Sequence, residues 1–295
     1  MKDAVADPQP TAQSYSPAAR RAGLDDPQVA ARRRRTAFWG VTEHMLWVYW
    51  RYRLTLLTSA LGEPVLYLLG MGLGLGALVS HGTGADTYGV SYVVFVAPAL
   101  LVSAAVMVGV EESTYQVLGG TQWDAKTYYT IYQAAVSPGQ LTLGVLLAIQ
   151  VRVAAVAGLY WIAMLVFGVL PQPGTGLAIP LVAMLGALAF GAPVAGYFAG
   201  LDREGGRSTM VRRFVLMPLV LFSGVYYPLS VLPWGIQWIG WISPVWHAAE
   251  LSRGLAFGHA EPVWLVAAHL LVLLGLSVLG ILWLRRSLTR KLEDR

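Results

Sequence analysis

Six stretches of this chain are long and apolar enough to need lipid around them. They lie near 54–79, 90–116, 141–170, 177–200, 211–232 and 262–284. A helix rises about 1.5 Å per residue, so roughly 20 residues cross the hydrocarbon core. All six meet that length, although the fifth runs without a clean stop into a Pro- and Trp-rich segment. Composition agrees: 56% of residues are hydrophobic and only 13% charged, against about 25% charged in soluble domains. The expected fold is an all-α integral membrane protein with six transmembrane helices.

Charge sets the orientation. Nineteen of the twenty-one Lys and Arg fall before the first stretch, after the last, or in the 117–140 and 201–213 segments. Cytoplasmic loops carry such an excess, so both termini are expected in the cytoplasm. The net charge of +5 reads as topology and not as a nucleic-acid surface, because the cations are spread between apolar runs. Cysteine is absent, which removes disulfides, zinc–thiolate clusters and thiol nucleophiles.

Residues 1–35 lack apolar periodicity and read as a disordered cytosolic tail. Its "RRRR" (32–35) could open a signal peptide, but Glu43, His44, Arg51 and Arg53 follow where an uninterrupted apolar region is required. Over 36–53, Phe38, Val41, Met45, Val48 and Tyr52 recur at helical spacing beside Trp39, Trp47 and Trp50. That pattern predicts an amphipathic helix lying in the headgroup layer; the cytosolic start of the first span is the alternative. The membrane domain then covers 54–285, and 286–295 is a cytosolic C-terminal tail.

Several motifs fail on spacing. "GMGLGLGAL" (70–78) gives small-xxx-small pairs suited to close helix packing, not a dinucleotide fingerprint. "GGTQWDAKT" (119–127) has Ala125 where a phosphate loop needs Gly before Lys126. No zinc-protease or nucleophile-elbow motif occurs. The chain is expected to hold no cofactor and to hydrolyse no ATP.

Charges inside spans mark function or an internal pair. Glu111 and Glu112 sit late in the second stretch and Arg152 well inside the third. The sequence allows a buried pair between Arg152 and one glutamate, or glutamates reaching the cytosolic interface. Glu63, followed by Pro64 in the first stretch, must face protein or water, lining a cavity or marking a kink. A short amphipathic helix within "DAKTYYTIYQAAVSPG" (124–139) carries Tyr128, Tyr129, Ile131 and Tyr132, a cluster expected to dock a protein partner. Finally, "GVYYPLSVLPWGIQWIGWISPVWHAAE" (224–250) combines interfacial aromatics with Pro228, Pro233 and Pro244. Two short helices re-entrant from the external side, roughly 233–241 and 244–256, fit it better than a seventh crossing. His247 and Glu250, at i and i+3, are expected to stay near water.

The chain resembles the permeases of type-2 ATP-binding-cassette (ABC) exporters, in particular the branch that exports lipo-oligosaccharide nodulation factors. The likeness is carried by "EPVLYLLGMGLGLGALV" (63–79), "SYVVFVAPALLVSAAV" (91–106) and "PLVLFSGVYYPLSVLPWGIQWIGWISPVWHAAELSRGL" (218–255). It implies six spans, a connecting helix at 36–53, a coupling helix near 124–137 that receives the ATPase, and an external re-entrant hairpin over 228–256. Where relatives often carry Thr-Pro after the coupling helix, this chain has "AAVSP" (134–138). The resemblance further implies a cytosolic ABC ATPase that binds ATP and Mg, a second permease copy or homologue, surrounding membrane lipid, and an amphiphilic substrate. Glu63, Glu111, Glu112, Arg152, Ser223, Tyr226, Tyr227, His247 and Glu250 are the expected pathway or gate residues. Two other classes stay open: a membrane transferase acting on lipid-linked sugars, for which His247 and Glu250 would be the external acid–base pair, and a secondary transporter.

Overall fold

A computed structural model describes residues 27–54, 62, 66, 69, 70, 88–122, 127–134, 136–203, 205–259 and 261–293. Among them the chain is helical, with no strand. Four helices are long and apolar enough to cross a membrane. These are α2 (Tyr92–Thr121), α4 (Pro138–Val166), α6 (Ile179–Ala199) with the short α5 (Pro173–Gly176) before it, and α11 (Val263–Glu293). Glu63, Pro64 and most of the glycine run 70–78 lie outside the described residues, as do 1–26 and 123–126.

The core forms where α6 packs between α2 and α11. Apolar attraction between helices is weak in lipid, so close backbone approach must supply dispersion contacts instead. Gly109 and Ser113 of α2, one turn apart, meet Ala187 and Gly191 of α6. A Cβ on Gly191 would stand 2.7 Å from Ser113 Oγ, and one on Gly109 would stand 2.9 Å from Ala187 Cβ. Phe95, Leu101, Val102, Ala183, Ala195, Phe198, Leu273 and Leu284 are buried around this seam.

The N-terminal helix α1 (Pro27–Arg51) starts nine residues before the expected 36. It packs on α4, where Thr42 Oγ1 donates to the Gly144 carbonyl at 3.1 Å. Val41 and Met45 of the apolar stripe are buried, but Val48 and Tyr52 are exposed, as are Trp39, Trp47 and Trp50.

The short helix α3 (Thr127–Gln133) spans about two turns and leads into α4. There the "VSP" step is a capping box. Gln140 N–H donates to Ser137 Oγ, the Ser137 N–H donates to Gln140 Oε1 at 3.0 Å, and Pro138 occupies the first turn.

The fifth stretch departs most from expectation. Its helical run is 207–221 where 211–232 was expected: α7 (Arg207–Val211), a π-helical turn (Arg212–Leu216) and α8 (Met217–Leu221). Gly224 then turns the chain at φ 69°, and Pro228 and Pro233 stand just before the next two short helices, where a missing N–H costs least. Next come a 3-10 turn (Leu229–Val231), α9 (Trp234–Ile242) and α10 (Pro244–Phe257). The last helix continues to Glu293, so most of the segment expected as a C-terminal tail is its final turns.

Candidate functional site

Two polar clusters occupy opposite ends of this bundle. The first is at the end carrying Arg203, Arg207, Arg212 and Arg213. Glu112 on α2 is buried and is held from three helices. Tyr49 Oη of α1 donates to its Oε2 at 2.5 Å, Gln116 Nε2 donates to the same oxygen at 3.1 Å, and Arg152 of α4 pairs with Oε1. The Arg152 guanidinium also lies 5.5 Å from the centre of the Tyr49 ring. One carboxylate thus ties α1, α2 and α4. Its neighbour Glu111 points elsewhere, because successive helical residues project about 100° apart. It pairs with Arg212 at 3.2 Å, largely exposed. The two flank a cavity of about 370 Å³, also lined by Thr114, Tyr115, Ser208 and Arg213.

At the same end, α3 sits against α2, α4 and the terminus of α11. Tyr128 does not face outward as expected of a docking residue. It is buried with its ring over Gly120, where even a methyl group would collide with it. An aromatic ring at the end of α2 hides more apolar area inside the protein than at its edge. Tyr129 Oη donates to the Lys291 carbonyl at 3.4 Å. Ile131 and Tyr132 are half-exposed, beside a groove of about 260 Å³ lined by Val41, Met45, Gln116 and Tyr128. The Leu201 carbonyl, just beyond α6, accepts from Gln122 Nε2 at 2.9 Å and from Lys291 Nζ. The ends of α2, α6 and α11 are thereby joined.

The second cluster lies under α9 and α10. Trp234, Trp238 and Trp241 are exposed along α9 at spacings of four and three, so they share one face. His247 and Glu250 do not stay near water: both are buried. The cause is their position on the inner side of α10, where Val245, Ala248, Ala249 and Ser252 also pack inward. His247 Nε2 lies 2.9 Å from the Trp241 carbonyl, so that nitrogen carries the proton. Its Nδ1, 2.6 Å from Nδ1 of His269, accepts from that ring. Burial, with His269 beside it, pushes His247 down to about 4, keeping it neutral. His269 Nε2 in turn stands 3.2 Å from Glu261 Oε2.

Arg253 is the residue that sequence reasoning passed over. It is fully buried, pairs with Glu250 Oε1 at 2.7 Å, and donates to the carbonyls of Gly224 at 2.7 Å and Val225 at 3.1 Å. Its guanidinium also lies 3.9 Å from the Phe95 ring centre. The i, i+3 spacing from Glu250 was the available signal. The expected pathway residues nearby serve the turn that ends the fifth stretch. Buried Ser223 donates to the Val220 carbonyl, Tyr227 Oη to the Leu221 carbonyl at 2.9 Å, and the Tyr226 carbonyl accepts from Tyr92 at 3.0 Å.

Comparison with known proteins places this architecture. Residues 36–257 match the model of the ABC-2 type transporter family. Nodulation protein J of Rhizobium leguminosarum bv. viciae is 27% identical over 238 residues, covering 76% of this chain and 84% of that protein. Nodulation protein J of Rhizobium meliloti is 25% identical over 225 residues, covering 75% and 82%. That of Bradyrhizobium diazoefficiens is 26% identical over 209 residues, covering 70% and 76%. With a family match that spans most of its length and four membrane-capable helices, this chain belongs to the ABC-2 type transporter family and is a multi-pass membrane permease.

Proposed function

We propose that the chain is the membrane half of an ATP-driven exporter. It works as two copies, or as one copy with a homologue, and two cytosolic ATPase subunits bind ATP and Mg. Both termini and α3 face the cytoplasm, six segments cross the membrane, and the α9–α10 hairpin is re-entrant from outside. The cargo is an amphiphile, such as a glycolipid, lipo-oligosaccharide or drug-like molecule, moving along the subunit interface and out beneath the hairpin.

The observation that carries this reading is the two-sided build of α3. Its inner side is locked to α2 by Tyr128 and touches the end of α11 through Tyr129, while Ile131 and Tyr132 remain half-exposed. A partner that displaces such a helix moves the spans attached to it. ATP supplies the work through the differing affinity of the two states for nucleotide. A transferase using His247 and Glu250 as an accessible acid–base pair is disfavoured by the burial of both. The test is ATP hydrolysis in proteoliposomes holding the permease with its ATPase. Stimulation by amphiphilic substrate is expected, with no tight nucleotide binding by the permease alone. Tight binding to the isolated chain would overturn the assignment.

A further inference from the structure

Glu250, His259 and Glu261 converge beside the joint between α10 and α11, and each offers a ligand atom within 4.8 Å of the others. They come from two pieces of chain: Glu250 from the inner side of α10, and His259 and Glu261 from the short connection between α10 and α11. Their surroundings fix them in place. Arg253 occupies only Oε1 of Glu250. The other oxygen, Oε2, is buried with no hydrogen-bond partner, on a residue 4% exposed. A buried carboxylate oxygen without a partner costs free energy unless something positive meets it. His269 Nε2 stands 3.2 Å from Glu261 Oε2, and the Tyr88 ring packs edge-on against His259 at 4.5 Å. Two carboxylates share this corner, and Arg253 offsets one of them.

We propose that Glu250 Oε2, His259 and Glu261 bind a divalent cation of the zinc or manganese class, clamping the α9–α10 hairpin to the start of the last helix. The ligand set selects the class, because an imidazole with carboxylates suits zinc or manganese, whereas calcium and magnesium favour all-oxygen shells. Tetrahedral bonds of about 2.1 Å put ligands roughly 3.4 Å apart, inside the 4.8 Å within which these three ligand atoms already lie. Three protein ligands leave a further position for water or a cargo oxygen. Nothing in this proposal depends on the direction of transport or on the ATPase.

The experiment is metal analysis of the tag-free, full-length permease in detergent after dialysis against micromolar zinc or manganese, alongside melting with and without metal. Because the chain has no cysteine, thiols cannot compete. We expect one ion per chain, and a melting temperature raised by metal. His259→Ala, in the half-exposed loop, and Glu261→Gln should each weaken binding by more than about tenfold. His44→Ala, at an exposed position of α1, should leave it unchanged. If wild-type protein takes up neither metal, or if monodisperse His259→Ala binds as tightly and melts with the same metal-dependent shift, the site does not exist.

Discussion

Arg253 donates from the middle of α10 to the carbonyl of Gly224 at 2.7 Å, joining the hairpin to the turn that ends the fifth stretch. Because Gly224 sits at positive φ, its carbonyl is aimed by the turn and not by any helix. The guanidinium therefore grips two successive carbonyls of one irregular turn, Gly224 and Val225, while pairing with Glu250 on its own helix. Replacing Arg253 with Met should cost about 3–5 kcal/mol by leaving Glu250 buried and unpaired. Arg253→Lys, which keeps charge but loses the fork, should fall between. Melting of the detergent-solubilised proteins checks the order; equal midpoints for all three would mean the hairpin is held otherwise.

Glu112 and Arg152 form a second, mostly buried pair, and a double-mutant comparison separates pairing from packing. Arg152→Met alone should destabilise by about 3–5 kcal/mol, since it strands a carboxylate in the bundle. Adding Glu112→Gln should recover much of that loss, because Tyr49 and Gln116 can still bond an amide. Additive losses in thermal midpoint would show that the two residues act independently.

The α2–α6 seam predicts a sharp contrast between glycines. Gly191→Ala drives a methyl into Ser113 and the Gly109 backbone, at roughly 1–3 kcal/mol for overpacking. At Gly158 nothing lies within 4 Å of an added Cβ. Alanine there should be neutral or slightly stabilising through its helix propensity. Yield and melting of the two variants read the difference.

On α3 the expected docking cluster divides. Tyr132→Ala with Ile131→Ala should weaken ATPase binding or uncouple hydrolysis from transport while the permease keeps its melting temperature. Tyr128→Ala should instead lower stability by about 3–5 kcal/mol through the lost buried ring. Pull-down of the ATPase, set beside melting, distinguishes them. Identical behaviour of the two variants would refute the division.

Sidedness can be read chemically in a chain without cysteine. Gly235→Cys on α9, where an added Cβ meets nothing within 4 Å, should react with an impermeant thiol reagent on intact cells. Gln133→Cys on α3 should react only once the membrane is opened. The reverse pattern would invert the protein.

Helices α2, α4 and α11 were legible because apolar length alone announces them. Their ends were less so, since Ser137 caps α4 from within what reads as loop and α11 runs on through its arginines. The bounds of the fifth stretch were hidden for a physical reason: after Arg212 and Arg213 it is apolar to 232, but Gly224 and Pro228 fix where its helix stops, and hydropathy does not weigh them. Adjacent Glu111 and Glu112 were inseparable in sequence, and helical phase gives them different arginines. The glycine motif that drew notice was 70–78, while the seam seen here uses Gly109, Ser113, Ala187 and Gly191. In an Ala- and Gly-rich chain many turns carry that spacing, and only the fold selects among them. His247 and Glu250 looked solvent-facing because their neighbours in sequence are interfacial, yet α10 turns that side inward.

The uninterrupted length of α11 has a mechanical consequence. Thirty-one residues make a rod of about 46 Å, longer than the hydrocarbon core at roughly 30 Å. His269 near one end touches the hairpin cluster, and Lys291 near the other meets Tyr129 of α3. They are separated by about 33 Å of stiff helix. A tilt of about 5° at one end would displace the other by roughly 3 Å. The helix can therefore act as a lever between the two polar clusters, carrying a small rotation from one face of the bundle to the other without any rearrangement of side chains between them.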